Sequence, residues 1–128
     1  MDKFVNDKVE FTDLPKSDFD VGQISGGSQV IPFNGGRICL VHEARPLPDK
    51  PHKRYYWHRF AYMDHEFKLT HLSHPFVFDD KQIEFAAGLC WHPDGKRLVI
   101  SYGVRDEEAR IALVDEKEVG KMLWFPAR

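Results

Sequence analysis

An internal repeat constrains the fold of this chain more than any other feature. Residues 27–32 (GSQVIP) align with residues 88–93 (GLCWHP), and after a one-residue gap residues 37–42 (RICLVH) align with residues 97–102 (RLVISY), a period of 60 to 61 residues. A repeat of this length, with each unit a short antiparallel meander, is typical of propeller-type architectures. A chain of 128 residues holds two such units within the usual size of one domain.

The first unit is predicted to contain four strands. Asn34-Gly35 lies between two strand-like segments and tolerates the positive φ angles of a tight hairpin turn. A segment with three prolines, residues 44–53, predicts a connecting loop. The aromatic and β-branched runs that predict the strands cover residues 28–33, 37–43, 54–64 and 67–72.

The second unit repeats the meander and ends in a helix. Its predicted strands cover residues 84–92, 97–102 and 109–114. Asp115 has an N-capping side chain, and Glu118 follows at the spacing of a capping box, which predicts a terminal helix. The centres of the second strand of each unit, residues 38–41 and 98–100, are apolar on both faces, as expected for sheets that are covered on both sides.

These patterns predict an all-β fold with two four-stranded antiparallel propeller-type blades and a short C-terminal helix. The first 26 residues are expected to form an N-terminal extension, mostly loop with a short strand at residues 9–11. The remaining chain, residues 27–128, is expected to form one β domain. Its predicted parts are blade-like repeats at residues 27–80 and 84–114 and a helix at residues 115–125.

Charge and hydropathy exclude several classes of partner. The 18 basic and 20 acidic side chains leave a net charge of -2, which gives no basic surface for a nucleic-acid backbone. No apolar run has the length of a membrane span or the character of a signal peptide. We therefore expect a cytoplasmic protein with no nucleic-acid or membrane partner.

No metal or cofactor is expected. Cys39 and His42 are three positions apart in a predicted strand, so their side chains point to opposite faces and do not form a zinc pair. No glycine-rich loop joins a strand to a helix in the manner of a nucleotide-binding site. Trp57, Trp91 and His58 lie within predicted strands and are interpreted as core residues.

The order of several motifs resembles a known family. The motifs are Gly26-Gly27-Ser28-Gln29, His42-Glu43, Pro75-Phe76, Phe85-Ala86-Ala87-Gly88 and Tyr102-Gly103-Val104-Arg105-Asp106. This order resembles the last two blades of the five-bladed β-propeller of mannoside phosphorylases and β-mannosidases. It resembles more closely the propeller segments attached to bacterial glycosyltransferase-type proteins. The likeness covers residues 22–119.

The resemblance implies a carbohydrate-active or glycan-binding module. His42 corresponds to a family histidine of the phosphate or sugar site, and Asp106 to a sugar-contacting aspartate. Glu43 and Arg105 replace a glycine and an alanine of the family pattern. The catalytic acid of the family lies in an earlier blade, so the resemblance implies a chain that is not catalytic alone, and whether it is an enzyme stays open.

Six residues are the candidates for binding a sugar or sugar phosphate. His42 and Tyr102 occupy repeat-equivalent positions, which suits either a shared channel mouth or hydrogen-bonded strand ends. Charge-assisted hydrogen bonds to sugar hydroxyls are available to the charged candidates and to Glu84, although surface charge is the commoner explanation for each. A hydrolytic carboxylate pair, Glu43 with Asp106, is a weaker alternative. The six are His42, Glu43, Arg45, Tyr102, Arg105 and Asp106.

Two blades cannot close a propeller, so their outer faces need a cover. The chain could belong to a larger propeller-containing protein, form a homo-oligomer, or fold its N-terminal segment over one face. The alternative function is therefore a non-catalytic interaction or assembly domain that oligomerises through exposed blade faces.

Overall fold

Two antiparallel sheets form the fold in a computed structural model that describes residues 13–124. In chain order the elements are β1 (Ser25–Gly26), β2 (Ile31–Phe33), β3 (Gly36–Pro46), β4 (Arg54–Met63), β5 (Leu69–Ser73), β6 (Glu84–Trp91), β7 (Arg97–Val104), β8 (Glu108–Asp115), α1 (Glu116–Met122) and β9 (Leu123–Trp124). The first sheet has the order β1-β3-β4-β5-β9, with β2 also paired to β3, and the second has the order β6-β7-β8.

The β-rich prediction with two antiparallel sheets and a short C-terminal helix is confirmed. The hairpin between β2 and β3 turns at Asn34 and Gly35, whose φ angles of 46° and 80° are both positive. The Asp115 side chain caps α1 by accepting a hydrogen bond from the Lys117 amide at 2.8 Å. Local turn and capping chemistry therefore set these boundaries.

Within residues 13–124 the strand count differs from the predicted four in each sheet, since the first sheet has six strands and the second has three. The helix ends at Met122, before the predicted end at residue 125, which lies outside the described residues. Leu123 is extended, and β9 pairs with β5 rather than extending the second sheet. The predicted strand at residues 9–11 also lies outside the described part of the chain.

The main core lies between the two sheets and is built from repeat-equivalent residues. Ile38 is equivalent to Leu98 and Leu40 to Ile100, and all four are at most 2 % exposed within the same cluster. Val119 of α1 closes this core. The equivalent faces of the two sheets therefore pack against each other as the halves of a sandwich.

The outer face of the first sheet is covered by the chain's own N-terminal segment. Phe19, Val21 and Ile24 pack against the second cluster of buried side chains, which comprises Cys39, Val41, Ala61, Met63 and Leu72. β1 then joins the sheet beside β3. One of the three covers considered from the sequence, the N-terminal segment, thus protects this face.

Candidate functional site

A polar groove lies on the outer face of the first sheet, where β3 ends. It has a volume of about 700 Å³ and is lined by Gly22, Gln23, Ile24, Ser25, Glu43, Ala44, Arg45 and Arg54. A smaller groove of about 330 Å³ shares Gly22, Glu43 and Arg45 with it and adds Arg59. We call the two together the Arg45 groove. Two of the six predicted site residues, Glu43 and Arg45, lie in it.

An ion-pair network fixes the centre of the Arg45 groove. Arg45 Nη2 lies 3.0 Å from Glu43 Oε1, and Arg59 Nη2 lies 3.9 Å from the same oxygen. The Arg45 guanidinium also packs 4.9 Å from the centroid of the Trp57 ring. Glu43 is only 11 % exposed whereas Arg45 is 45 % exposed, so the cation faces solvent and the carboxylate orients it.

Arg54 adds an uncommitted cation to the groove. It lines the groove at the start of β4, where it is the partner of Pro46, the last residue of β3. Within residues 13–124 its guanidinium has no hydrogen-bond or ion-pair partner. Arginine presents a planar fork of donors that matches phosphate and carboxylate groups, so the Arg45 groove carries unused capacity for an anion.

His42 and Tyr102 lie in a different place, an aromatic cluster inside the sandwich. The His42 ring is stacked on Tyr56 at 5.1 Å and meets Phe85 edge-on at 5.2 Å. Its centroid is 6.5 Å from that of His58. Burial lowers the pKa of His42 below its ordinary value.

His58 is the most enclosed polar side chain of this cluster. It is fully buried, and neither ring nitrogen has a hydrogen-bond partner among the described residues. Burial, offset in part by Glu84 and reinforced by His42, lowers the pKa of His58 to about 4. The interpretation of His58 as a core residue is confirmed, but its hydrogen bonds are not satisfied.

Tyr102 connects the cluster to a surface network. Its ring is stacked on Phe78 at 4.3 Å, and its hydroxyl donates to Asp79 Oδ2 at 3.1 Å. Arg110 Nη1 donates to the same oxygen at 2.6 Å. Burial and the Asp79 carboxylate raise the pKa of Tyr102. This phenol is held in its neutral form as a hydrogen-bond donor.

Glu84 is committed to holding a loop. It is fully buried, and its oxygens accept bonds from the backbone amides of Phe78, Asp79 and Asp80 and from the Gln82 side chain, at 2.8 to 3.3 Å. The expectation that Glu84 grips a sugar is therefore not favoured by its surroundings. Its carboxylate has a structural role.

Arg105 and Asp106 form the turn between β7 and β8. Their φ angles are 52° and 56°, the left-handed region that Asp tolerates better than most residues. The Arg105 amide donates to the Ile83 carbonyl at 2.7 Å and its guanidinium to Gln82 at 3.2 Å. The structure thus places Arg105 and Asp106 at a hairpin tip of the second sheet, away from the groove of the first.

The proposed hydrolytic pair is divided between these two places. Glu43 is ion-paired on the outer face of the first sheet, and Asp106 is exposed at the hairpin tip of the second. The two carboxylates belong to different sheets, and no contact among residues 13–124 joins them as a paired acid and base for glycoside hydrolysis.

Arg54 and Arg59 are groove residues that sequence reasoning missed. In the register of β3 and β4, Arg54 is the partner of Pro46 and Arg59 is the partner of Val41. The sequence alone does not set this register, because a long loop joins the two strands. The separation of His42 from Glu43, by contrast, could have been predicted from the sequence. His42 and Glu43 are adjacent in a strand, so their side chains must point to opposite faces.

Comparison with family models, with curated proteins and with solved structures finds no match to this chain. Residues 13–124 contain no helix with the length and apolar character needed to cross a membrane. The same part of the chain has no group of three or more side chains suited to hold a metal ion.

Proposed function

We propose that this protein is a glycan- or sugar-phosphate-binding module that is not catalytic alone, and that the ligand binds in the Arg45 groove. The observation that carries the proposal is the exposed Arg45 guanidinium, oriented by Glu43, in a groove that Arg54 also lines. Sugar hydroxyls suit the Glu43 carboxylate and the Ser25 and Gln23 side chains as hydrogen-bond partners. A phosphate suits the two arginines.

The propeller relationship is part of this proposal and is supported by the motif order and the 60-residue repeat. In a propeller, neighbouring blades are related by rotation about the central axis, so equivalent residues of two blades lie in different blade–blade interfaces. Here the equivalent residues Ile38 and Leu98 lie in one core. Two isolated sheets bury most apolar surface when their most apolar faces meet. We therefore propose that blade-like units of this ancestry pack as a sandwich in this chain.

Calorimetric titration with a methyl mannoside, mannose phosphate and inorganic phosphate tests the binding function. We expect mannose phosphate to bind more tightly than the uncharged mannoside. Arg45→Ala should weaken its binding about tenfold or more, since a charge-assisted hydrogen bond contributes roughly 1.5–3 kcal/mol. Arg97→Ala is the matched control, because Arg97 is similarly exposed but pairs with Asp94 outside the groove.

A second variant separates the two candidate places. His42→Ala removes the residue that the family resemblance favours, and it lies in the aromatic cluster rather than in the groove. Loss of binding in His42→Ala with Arg45→Ala unchanged would move the site to the cluster. No binding of any of the three ligands at millimolar concentration would reject the proposal in favour of a pure assembly domain.

A further inference from the structure

A second hollow lies where the turn between β2 and β3, the end of β6 and α1 meet. It has a volume of about 310 Å³ and is lined by Phe33, Asn34, Trp91, Glu116, Lys117 and Gly120. We call it the Trp91 groove. The Arg45 groove lies at the far end of β3, about 30 Å away along the strand from Gly36 to Arg45. The two grooves are therefore separate places on the molecule.

A stacked pair of aromatic rings forms one wall of the Trp91 groove. The Trp91 and Phe33 ring centroids lie 5.9 Å apart, with an angle of 15° between the ring planes. The Trp91 indole nitrogen donates a hydrogen bond to the Pro32 carbonyl oxygen at 2.8 Å. Phe33 is buried in the main core, whereas Trp91 is only partly buried. The indole is therefore an aromatic surface that is held in one orientation and partly open to the groove.

Three polar side chains that line the Trp91 groove are uncommitted. Asn34 lies on the turn between β2 and β3, and Glu116 and Lys117 lie on α1. Within residues 13–124 none of these three side chains has a hydrogen-bond or ion-pair partner. A carboxamide both donates and accepts hydrogen bonds, a carboxylate accepts them and an ammonium group donates them. A ligand with several hydroxyl groups matches all three, because each hydroxyl both donates and accepts.

The charges that line the Trp91 groove favour a ligand without net charge. Glu116 and Lys117 carry one negative and one positive charge, which sum to zero. The Arg45 groove, by contrast, has three arginines against the carboxylates of Glu43 and Asp20. The two grooves therefore suit different ligands, an anion in the Arg45 groove and an uncharged polar molecule in the Trp91 groove.

A glycine of α1 leaves room in the Trp91 groove. A Cβ at Gly120 would meet nothing within 4 Å, so a ligand can approach the helix backbone at this position. The volume of about 310 Å³ is at the lower end of the range for small-molecule sites, roughly 300–1,000 Å³. The groove therefore suits a single ring with its substituents rather than an extended chain of rings.

We propose that the Trp91 groove binds one uncharged pyranose residue of a glycan, as a second site separate from the Arg45 groove. The C–H groups on one face of the sugar ring pack on the indole of Trp91, because the face of an aromatic ring is electron-rich. The hydroxyl groups at the edge of the sugar bond to the uncommitted side chains of the turn and of α1. The ligand class agrees with the proposed binding function, but the inference rests on different residues.

Titration of the isotope-labelled protein with methyl mannoside at millimolar concentrations, followed by backbone amide chemical shifts, tests this site. Saturable shifts are expected at Phe33, Asn34, Trp91 and Lys117. Gly120→Leu should weaken this binding about tenfold or more, because its side chain fills the groove. The same variant should not melt at a lower temperature than the wild type, because leucine is a better helix former than glycine. Loss of binding in this variant therefore does not come from unfolding.

Two further variants complete the test. Glu118→Leu is the matched control on α1, because the Glu118 side chain is 62 % exposed and lies outside the groove. It should bind methyl mannoside like the wild type. Asn34→Gly removes the carboxamide but keeps the turn, because glycine adopts the positive φ angle that Asn34 has. It should weaken binding about threefold to tenfold, the effect of one neutral hydrogen bond.

Three outcomes would overturn the proposal. They are no saturable shifts at the Trp91 groove, wild-type affinity in folded Gly120→Leu, and tighter binding of adenine, a planar ring without hydroxyl groups. The last would assign the groove to aromatic ligands. Gly120→Leu leaves the Arg45 groove intact, so shifts caused there by mannose phosphate should persist in this variant. The two sites therefore fail or succeed separately.

Discussion

His58 on β4 lies directly opposite His42 on β3, with their ring centroids 6.5 Å apart. The His58 ring is enclosed by Phe76 and Phe78, with centroids at 6.0 and 4.6 Å. Protonation of His58 would place an unpaired cation beside His42 in an apolar surrounding, with the buried Glu84 as the nearby opposite charge. The folded state therefore holds His58 neutral.

The first prediction concerns the pH dependence of stability. The pKa of His58 falls from 6.5 in the unfolded chain to about 4 in the folded state, so the unfolded chain binds the proton first as the pH decreases. The free energy of unfolding should fall between pH 6.5 and 4, by about 3 kcal/mol from this group, and its contribution should level off below pH 4. Urea denaturation at a series of pH values measures this.

Removal of the imidazole tests the origin of that dependence. In His58→Leu the slope between pH 6.5 and 4 should flatten, and stability at pH 7 should not fall, because the unsatisfied buried nitrogens are removed. His65→Leu, at a side chain that is 82 % exposed, should keep the wild-type slope. An unchanged slope in His58→Leu would show that other groups cause the acid sensitivity.

A second prediction concerns Glu84. Glu84→Gln keeps the size of the side chain but replaces one carboxylate oxygen with an amide nitrogen. That nitrogen cannot accept a hydrogen bond from the backbone N–H groups of residues 78–80. The variant should lose roughly 2–4 kcal/mol of unfolding free energy. Hydrogen exchange at residues 78–80 should quicken. Glu107→Gln at the exposed β7–β8 turn is the control, and equal stability of the two variants would contradict the structural role.

Two glycines should respond to alanine in opposite directions. A Cβ at Gly36 would lie 2.3 Å from the Met63 carbonyl oxygen and 2.6 Å from the Tyr62 hydroxyl, so Gly36→Ala must displace β4. We expect a loss of about 1–3 kcal/mol. A Cβ at Gly120 in α1 meets nothing within 4 Å, and Gly120→Ala should add about 1 kcal/mol from helix propensity. Thermal melts of both variants show whether the signs differ.

Local sequence signals predicted most of the fold because they act over a few residues. Three elements were predicted from local chemistry and are present in the structure. They are the Asn34-Gly35 turn, the aromatic strand β4 and the Asp115 cap. The pairing of β9 with β5 was not predictable in this way. That pairing depends on where residues 123–124, which follow α1, meet β5 of the first sheet.

The candidate site was only partly predictable. Glu43 and Arg45 were selected for their charge and do share a groove, whereas Arg54 reaches it through the register of β4. His42 and Tyr102 share an aromatic cluster as repeat-equivalent residues, but they are linked through Phe78 and His58, which periodicity did not single out. Side-chain contacts across β3 and β4 depend on the register of the two strands. The loop of residues 47–53 that joins them has no tight-turn type from which this register could be predicted.

Mapping of ligand binding by backbone amide chemical shifts tests the central claim most directly. Titration of the isotope-labelled protein with mannose phosphate should shift the amides of Gln23, Ser25, Glu43, Arg45 and Arg54, with little change at Arg105 and Asp106. Saturation of these shifts by the ligand would locate the site in the Arg45 groove. Shifts confined to the aromatic cluster or the β7–β8 turn, or no shifts at all, would contradict the account.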